Sequence, residues 1–525
     1  MLWSPHRRIR AGAIAGWRLI GNLRTKNRQV PDNGSRSLLL RSQRILLPGR
    51  RWSPPDWGIL VRNGRIESVG PSGKIGPADE VIRMPDSTIL PGFIDAHIHL
   101  AAFASSLESI SLRDSKSVNG IQTRLVAGAA SCDTDLIRGS GFDSNTLVNG
   151  RLPTRHDLDE ALGNRPVLIN DRSGHIWIAN TAALREANFF EDENLKIVND
   201  DGVFLHDISS LRRRLKHLRP SPREHQRRLR SALSVLVRNG ITAIVDATPH
   251  WDIENVETTN SVAQSDNFPL IFHFWGEHAL PSDFHASTSR IIGQKLALHE
   301  FPGGLKPPLQ DLEIAIRAAH SMDFPVAIHA VSLDAVAGAL HVLGRCKSKK
   351  ISRPDRIEHA AQMSDPEIRR ASRIKVQACV NPALIEDRGD IYLRDQRVDL
   401  LHRYRTMQTA GIPLMAGSDA PISDPSALRG IWAAISRRTA SGDQMNPDES
   451  LELLDALDLY TRVPSAWIGR PGAGEIQAGA DAAFTAATGD WSRGMPADTE
   501  IAATVVNGTI AFVNEHHVER GIICP

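Results

Sequence analysis

Apolar and polar positions form short, strand-like runs at both ends of the chain. Ser37–Leu47 and Trp57–Val69 are apolar-rich and contain many residues that favour β-strands. Asn63–Gly64 interrupts the second run, which predicts a tight β-hairpin. Asn507–Gly508 separates two apolar runs near the other end in the same way. Because chain termini often lie close together, we predict that these hairpins share one small sheet domain.

The middle of the chain alternates short apolar runs with longer segments of helical periodicity. This order is typical of βα units around a parallel sheet. Helices are predicted at Arg223–Arg238, Leu309–Ser321, Leu333–Leu343 and Ser364–Ser372. Eight runs are candidate strands, the number that a closed barrel needs: Thr88–His97, Ile241–Ala247, Leu270–Trp275, Ile291–Leu298, Val326–Ala330, Arg356–Glu358, Lys375–Val380 and Pro413–Gly417.

The interval between the first two candidate strands is too long for a single crossover. Long loops without structure of their own are rare, so residues of about 101–226 are interpreted as a structured insertion. The predicted fold is therefore α/β: a (β/α)8 TIM barrel across residues 89–466, with a long insertion after barrel strand 1. Residues 37–88 and 467–525 are expected to form a small composite β-sandwich domain from both chain ends.

Charge and cysteine content narrow the classes of protein to which the chain could belong. The 62 basic and 60 acidic residues give a formal net charge of +2, which favours neither nucleic acid nor an anionic membrane as partner. The 4 cysteines show no CxxC spacing, so a reducing cytoplasm is the expected compartment. No apolar run reaches the roughly 18 residues of a membrane span. A small molecule is the expected partner, and a homo-oligomer is left open.

The first 36 residues differ from the rest, since no acidic residue precedes Asp32 while seven basic residues do. A basic segment without acidic residues can be a transit or export signal. Arg18, however, interrupts the apolar stretch Ala11–Ile20. Residues 1–36 are therefore interpreted as a disordered tail or an over-extended start, with the targeting signal as the alternative.

Four histidines and one aspartate stand at the ends of predicted barrel strands. His97 and His99 are two positions apart, so an extended backbone places both on one side. His329, His359 and Asp419 end three later strands. In a parallel barrel these ends meet on one face, where barrel enzymes have their active sites. A single histidine is usually an ordinary surface or core residue; it is the joint pattern that predicts a metal site.

Several segments carry a resemblance to a known family. They are Pro91–His99, His329–Ala330, Glu358–His359 and Ala416–Pro421, and through them the chain resembles the amidohydrolase superfamily. More narrowly it is similar to the amidohydrolase family 3 branch, which includes N-substituted formamide deformylase-like proteins. That likeness also uses Ile137–Asp143 and Ser173–Asn180, and it extends over roughly residues 37–515.

The resemblance implies a role for each matching position. His97 and His99 would bind one divalent metal ion, most simply Zn²⁺, and His329 and His359 would bind a second. Asp419 would contact a metal and shuttle a proton during catalysis. The site is thus expected to hold one or two ions.

Two further positions have competing interpretations. By resemblance, Lys295 at the end of the fourth strand would be carboxylated and would bridge two metals; otherwise it is a strand-end lysine that faces solvent. A desolvated lysine has a lowered pKa and can react with CO2 as the free amine. His175, in the insertion, would polarise the substrate carbonyl; otherwise it is a helix-start histidine bonded to backbone.

The chain departs from the branch at two places. His206–Asp207 follows Gly202–Leu205, where relatives often have one acidic residue. His299–Glu300 stands where many relatives have Asp-Gly, so the chemistry of the loop after the fourth strand is expected to differ, and the substrate with it.

The resulting hypothesis is a metal-dependent hydrolase that cleaves a C–N bond, in an amide, an N-acyl or N-formyl amine or a cyclic amide. A metal-activated hydroxide, formed because the ion lowers the pKa of its water to about 7, would be the nucleophile. Two alternatives stay open. One is an esterase, lactonase or phosphotriesterase that uses the same site, and the other is a non-enzymatic scaffold of the same fold.

Overall fold

A computed structural model describes residues 37–522 apart from 133, 190–200, 206–207, 219, 249–252, 267, 277–289 and 348–350. The basic segment 1–36, His206–Asp207 and Cys524 lie outside the described residues. The described chain divides into two compact units, one of residues 37–94, 237–242 and 451–522 and the other of residues 95–236 and 243–450. No helix in the described part is long and apolar enough to cross a membrane.

The first unit begins with five strands: β1 (Ser37–Leu47), β2 (Arg51–Trp52), β3 (Trp57–Arg62), β4 (Arg65–Pro71) and β5 (Glu80–Pro91). Strands β3 and β4 form the expected hairpin, in antiparallel register from Trp57↔Pro71 to Arg62↔Arg65. Its turn residues Asn63 and Gly64 have φ values of 52° and 74°. Asparagine and glycine tolerate this left-handed backbone, which is why the dipeptide marks the turn.

The first barrel strand, β6 (Phe93–Ile98), starts directly after β5. The prediction of one strand over Thr88–His97 was wrong, because the chain leaves one sheet and enters another at Gly92. A Cβ atom at Gly92 would lie 2.3 Å from Oγ1 of Thr242, so only glycine fits this approach.

The insertion after β6 has a core and a sheet of its own, as predicted. Its strands pair in the order β11-β10-β9-β8-β7, and apolar side chains such as Leu125, Leu158 and Ile169 are fully buried against that sheet. The elements are α1 (Leu100–Ser106), β7 (Ile110–Ser111), α2 (Val118–Ala129), β8 (Ile137–Phe142), α3 (Arg155–Leu162), β9 (Val167–Asp171), β10 (Ile176–Ala179), α4 (Thr181–Glu186), β11 (Val203–Leu205) and α5 (Ser209–Arg214).

The remaining barrel elements alternate strand and helix, and the seven later predicted strands are all present. They are α6 (Pro222–Arg238), β12 (Ile241–Asp246), α7 (Ile253–Ser265), β13 (Leu270–Trp275), β14 (Ile291–Ala297), β15 (His299–Phe301), β16 (Gly304–Lys306), α8 (Leu309–Ser321), β17 (Val326–Ala330), α9 (Leu333–Arg345), β18 (Arg356–His359), α10 (Asp365–Ile374), β19 (Gln377–Val380), α11 (Ala383–Tyr392), α12 (Tyr404–Thr409), β20 (Leu414–Ala416) and α13 (Ala427–Ser436).

The barrel sheet has the order β6-β12-β13-β14-β17-β18-β19-β20, so its strands follow one another in chain order. Strands β15 and β16 form a separate small hairpin. The pairs from β12 to β20 are parallel. The (β/α)8 prediction is therefore confirmed. All eight strands run in one direction, so their carboxyl ends open on one face of the barrel.

The chain ends in α14 (Leu453–Asp458), α15 (Arg462–Trp467), β21 (Phe484–Thr488), β22 (Ile501–Val506), β23 (Thr509–Val513) and β24 (Glu519–Ile522). These strands join β1 to β5 in one nine-stranded sheet with the order β23-β22-β21-β5-β1-β3-β4, while β2 pairs with β1 and β24 with β5. Both ends of the chain thus contribute to one sheet, as the hairpin patterns predicted.

Candidate metal centre

Three donor groups converge at the carboxyl end of the barrel. His97 lies near the end of β6, His99 follows that strand, and Asp419 follows β20. The ligand atoms of these three side chains all lie within 4.8 Å of one another. Oδ1 of Asp419 is 3.5 Å from Nε2 of His97 and 3.3 Å from Nε2 of His99. This buried carboxylate oxygen has no hydrogen-bond partner among the described residues, which is the environment a bound cation would satisfy.

The protonation states of His97 and Asp419 suit a cation. Burial lowers the pKa of His97, and the neighbouring Lys295 lowers it further, so the imidazole is neutral. Burial by itself raises the pKa of Asp419. The close imidazoles of His99, His359 and His97 outweigh that effect, and the net pKa lies well below its usual range. Neutral imidazoles and an ionised carboxylate are the forms that bind metal, so the residues present fit a divalent ion.

His359 and His329 extend the cluster along the barrel mouth. The ring centroids of His359 lie 4.9 Å from His97 and 4.6 Å from His329. Nδ1 of His359 donates to Oδ1 of Asn381 over 2.8 Å, and the amide of Asn381 donates to the carbonyl of Gly417 over 2.8 Å. The side-chain amide of Asn381 thus orients the ring of His359, and the lone pair on Nε2 of His359 is directed to the site. The structure therefore brings all four strand-end histidines and Asp419 together.

Lys295 is buried inside the barrel, with 7% of its surface exposed, and does not face solvent. Its Nζ lies 3.4 Å from Nε2 of His97. Burial lowers the pKa of this amine, while the carboxylates of Glu358 and Asp419 oppose that shift. A lysine in this position meets the main requirement for reaction with CO2, but its carboxylation stays a prediction.

Two of the candidate ligands have a left-handed backbone. His359 has φ 70° and Asp419 has φ 56°, a region that few residues other than glycine adopt. Such strain is maintained only where surrounding contacts fix it, and it is frequent at functional sites. Here the amide of Ala360 donates to the carbonyl of Glu358 over 2.9 Å, which turns His359 toward the site at the end of its strand.

Sequence reasoning missed a carboxylate and a guanidinium that lie beneath the cluster. Glu358 is fully buried and contacts both Nδ1 of His97 and Nε of Arg356. Arg356 is also fully buried; it donates to the carbonyl of Ala96 over 2.8 Å and lies 4.6 Å from the ring of Phe274. Because Nδ1 of His97 is bonded to Glu358, Nε2 is left for the site.

A signal for this pair was present in the sequence. Arg356 and Glu358 are two residues apart on one strand, so they point to the same side of the sheet. Two opposite charges on one side of a barrel strand that is buried on both faces indicate an interior ion pair.

Asp95 links the first and last barrel strands behind the site. Its carboxylate accepts hydrogen bonds from the amide and the hydroxyl of Ser418 over 3.0 and 2.5 Å, and from the amide of His97 over 3.2 Å. Burial raises the pKa of Asp95 to about 6, although the bonds from Ser418 oppose that shift. Ser418 is thus engaged in holding the strand ends.

His175 lies in the turn between β9 and β10, and it does not begin a helix. Asp171 fixes that turn by accepting from the hydroxyl of Ser173 over 2.7 Å and from the amide of Ile176 over 3.1 Å. The His175 ring is 6.0 Å from the ring of His299. The ring of His299 in turn is 4.6 Å from the ring of His329. The insertion therefore places the imidazole of His175 at the edge of the histidine cluster. The sequence interpretation had marked His299 only as a departure from relatives.

The sequence profile of the amidohydrolase family matches residues 85–512, which include all the strand ends described above. The chain belongs to this family. It is therefore a hydrolase, and the resemblance inferred from the strand-end motifs is confirmed.

Two relatives match over most of their length. YtcJ of Bacillus subtilis, whose name places it among the amidohydrolases, is 26% identical over 513 residues, covering 86% of this chain and 95% of YtcJ. The N-substituted formamide deformylase of Arthrobacter pascens is 24% identical over 523 residues, covering 86% of this chain and 94% of that enzyme.

Solved structures of low sequence identity share the fold. A metal-dependent hydrolase from Pyrococcus horikoshii has a TM-score of 0.68 at 21% identity, covering 86% of this chain and 98% of that protein. Atrazine chlorohydrolase TrzN from Arthrobacter aurescens, solved in complex with zinc, has a TM-score of 0.54 at 15% identity, covering 91% and 96% of the two chains. At these identities the likeness supports the fold alone.

Proposed function

We propose that this amidohydrolase cleaves a C–N bond beside a carbonyl group, in an amide, an N-formyl or N-acyl amine or a cyclic amide. The observation that carries the proposal is the convergence of His97, His99 and Asp419 at the barrel mouth. The similarity to an N-substituted formamide deformylase over most of both chains supports the choice of bond.

Zn²⁺ is the proposed ion, because nitrogen and carboxylate donors are those that zinc prefers in enzymes. His97, His99 and Asp419 would hold one ion, and His329 and His359 would hold a second with Lys295 carboxylated between them. When bound, the ion supplies a water whose pKa is lowered to about 7, so that it can act as the nucleophile near neutral pH.

Asp419 is the proposed proton carrier. Its lowered pKa keeps the carboxylate ionised at neutral pH, so that Oδ1 can accept the proton of the attacking water. The same oxygen would then deliver that proton to the departing nitrogen. His175 would donate a hydrogen bond to the substrate carbonyl oxygen, where negative charge develops as the nucleophile adds to the carbonyl carbon and is lost again when the C–N bond breaks.

The test joins metal quantification to an activity screen on the purified full chain. A panel of N-formyl amines, N-acyl amines, cyclic amides, lactones and phosphotriesters would be assayed with and without added Zn²⁺. The proposal expects about one or two ions per chain and zinc-dependent release of amine. Hydrolysis restricted to lactones or phosphotriesters would contradict it, and so would a protein that purifies without metal and gains neither activity nor stability from zinc.

A further inference from the structure

The histidines of the barrel mouth differ in burial, and that difference separates an inner group from an outer one. His97 and His359 are buried together with Asp419. His99, His329, His299 and His175 are all partly exposed. A substrate that enters from solvent therefore meets the outer imidazoles first, and His299 belongs to that group although the proposed function gives it no role.

The backbone on both sides of His299 is held in place. Just before it, the amide of Leu298 donates to the carbonyl of His329 over 3.0 Å. His299 then opens the β15–β16 hairpin, whose register pairs it with Lys306. The hairpin is seated on α9, since a Cβ atom built at Gly338 would meet Leu305 at 2.8 Å. The backbone position of His299 is thus fixed by contacts with the barrel.

The ring of His299 lies close to both the proposed second-metal ligand and the proposed carbonyl donor. Its centroid is 4.6 Å from that of His329 and 6.0 Å from that of His175. Aromatic rings at these centroid distances are in or near van der Waals contact. A substrate group placed against His329 or His175 therefore also lies near the ring of His299.

We propose that His299 is a specificity-determining residue that contacts the acyl group of the substrate. It would donate a hydrogen bond to the carbonyl oxygen beside His175, and its ring would exclude acyl chains longer than formyl or acetyl. The inference rests on the proposed function and names the preferred substrate class as N-formyl and other short N-acyl amines.

The test uses the metal-loaded full chain and a series of N-formyl, N-acetyl and N-butyryl derivatives of one amine. His299→Ala is expected to lower kcat/KM for the formyl compound about tenfold, the loss of roughly one hydrogen bond. It is expected to raise kcat/KM for the butyryl compound relative to the formyl compound at least tenfold, because a ring-sized space opens. His299→Gln, which keeps an N–H donor, should restore most of the formyl activity.

Metal content is the readout that does not depend on turnover. His299→Ala and His299→Gln should retain the wild-type number of ions, as should the control His341→Asn at an exposed position of α9. Loss of an ion in both His299 variants would overturn the proposal in favour of a ligand role.

The remaining outcomes separate the two proposals. If the wild-type enzyme releases amine but His299→Ala and His299→Gln keep its acyl-chain profile, the inference fails while the proposed function stands. If the wild-type enzyme hydrolyses no member of this series but releases amine from another C–N substrate of the wider panel, the inference fails and the proposed function stands. If it releases amine from no member of either set, both fail. Melting curves of both variants establish that each is folded. If the alanine variant is not folded, His299→Gln alone is the test: it should keep the formyl activity and raise kcat/KM for the butyryl compound relative to the formyl compound, since it lacks the ring.

Discussion

The main-chain amide of Asp419 donates a 2.8 Å hydrogen bond to the main-chain carbonyl of His97. These residues are far apart in sequence and come from the last and first barrel strands. A second bond, from the amide of His99 to the carbonyl of Ala420 over 3.0 Å, joins the same two segments. The bonds that join the first and last barrel strands therefore also set the spacing of the candidate metal ligands.

Substitution of Gly417 should disrupt both features together. A Cβ atom there would lie 2.4 Å from Cβ and 2.5 Å from the amide nitrogen of His97, distances that only backbone movement could relieve. Gly417→Ala is expected to lower the free energy of unfolding by about 1–3 kcal/mol and to weaken metal binding. Urea unfolding and chelator competition would measure the two effects. Gly344→Ala, a helix position whose Cβ would meet only Ile374 at 3.9 Å, should be neutral or slightly stabilising.

Asp419→Asn tests the proposed proton carrier. The amide keeps the size of the side chain and an oxygen that can contact a metal, but it cannot accept a proton at neutral pH. We expect kcat to fall by about 10²–10⁴-fold while melting temperature and metal content stay close to wild type. The control is Asp498→Asn, an exposed aspartate. Full turnover by Asp419→Asn would exclude the role assigned to this residue.

Glu358→Gln tests whether the buried carboxylate orients His97. The neutral side chain cannot balance the charge of Arg356, which is fully buried. Loss of one partner of a buried ion pair is expected to destabilise the fold by about 3–5 kcal/mol. In the folded fraction, metal affinity should fall about 10–100-fold, since the bond that fixes the ring of His97 is weakened. Chelator competition on refolded protein gives that value, and an unchanged affinity would argue against the orienting role.

The buried imidazole of His402 should make stability depend on pH. Burial lowers its pKa to about 3, and the nearby guanidinium of Arg437 contributes to that shift. An unfolded histidine has a pKa of about 6.5, so between these values only the unfolded chain binds the proton. Stability should therefore be lost as pH falls below about 6.5, by up to about 1.4 kcal/mol per pH unit for this one group.

His402→Asn removes the titratable imidazole. Asparagine is compatible with the backbone here, since it tolerates the left-handed φ of 54° at this position. Urea unfolding of the metal-free protein at several pH values from 7 to 5 would measure the slopes. The variant should show a shallower loss of stability than the wild type. Parallel slopes for the two proteins would mean that His402 binds its proton equally in the folded and unfolded states.

Local sequence was sufficient to predict most of the secondary-structure elements and to select the strand-end histidines that the structure brings together. Hairpin turns such as Asn63–Gly64 are set by the φ preferences of two residues, and barrel strands are set by apolar runs between turn signals. His97 and His99 are adjacent on an extended backbone, so their common side follows from a period of two. The fold class and the strand-end histidines could be predicted because each depends on a few neighbouring residues and on one rule about parallel strands.

Tertiary structure decided which side chains meet and what each one contacts. Nothing in the order of residues places the carboxylate of Glu358 on the ring of His97, or the ring of His299 beside those of His329 and His175. The split of the predicted first strand at Gly92 also depends on the close approach of Thr242, which is remote in sequence. Contacts of this kind follow from how strands and insertions pack in three dimensions, and the periodicity of one segment carries no information about the segment packed against it.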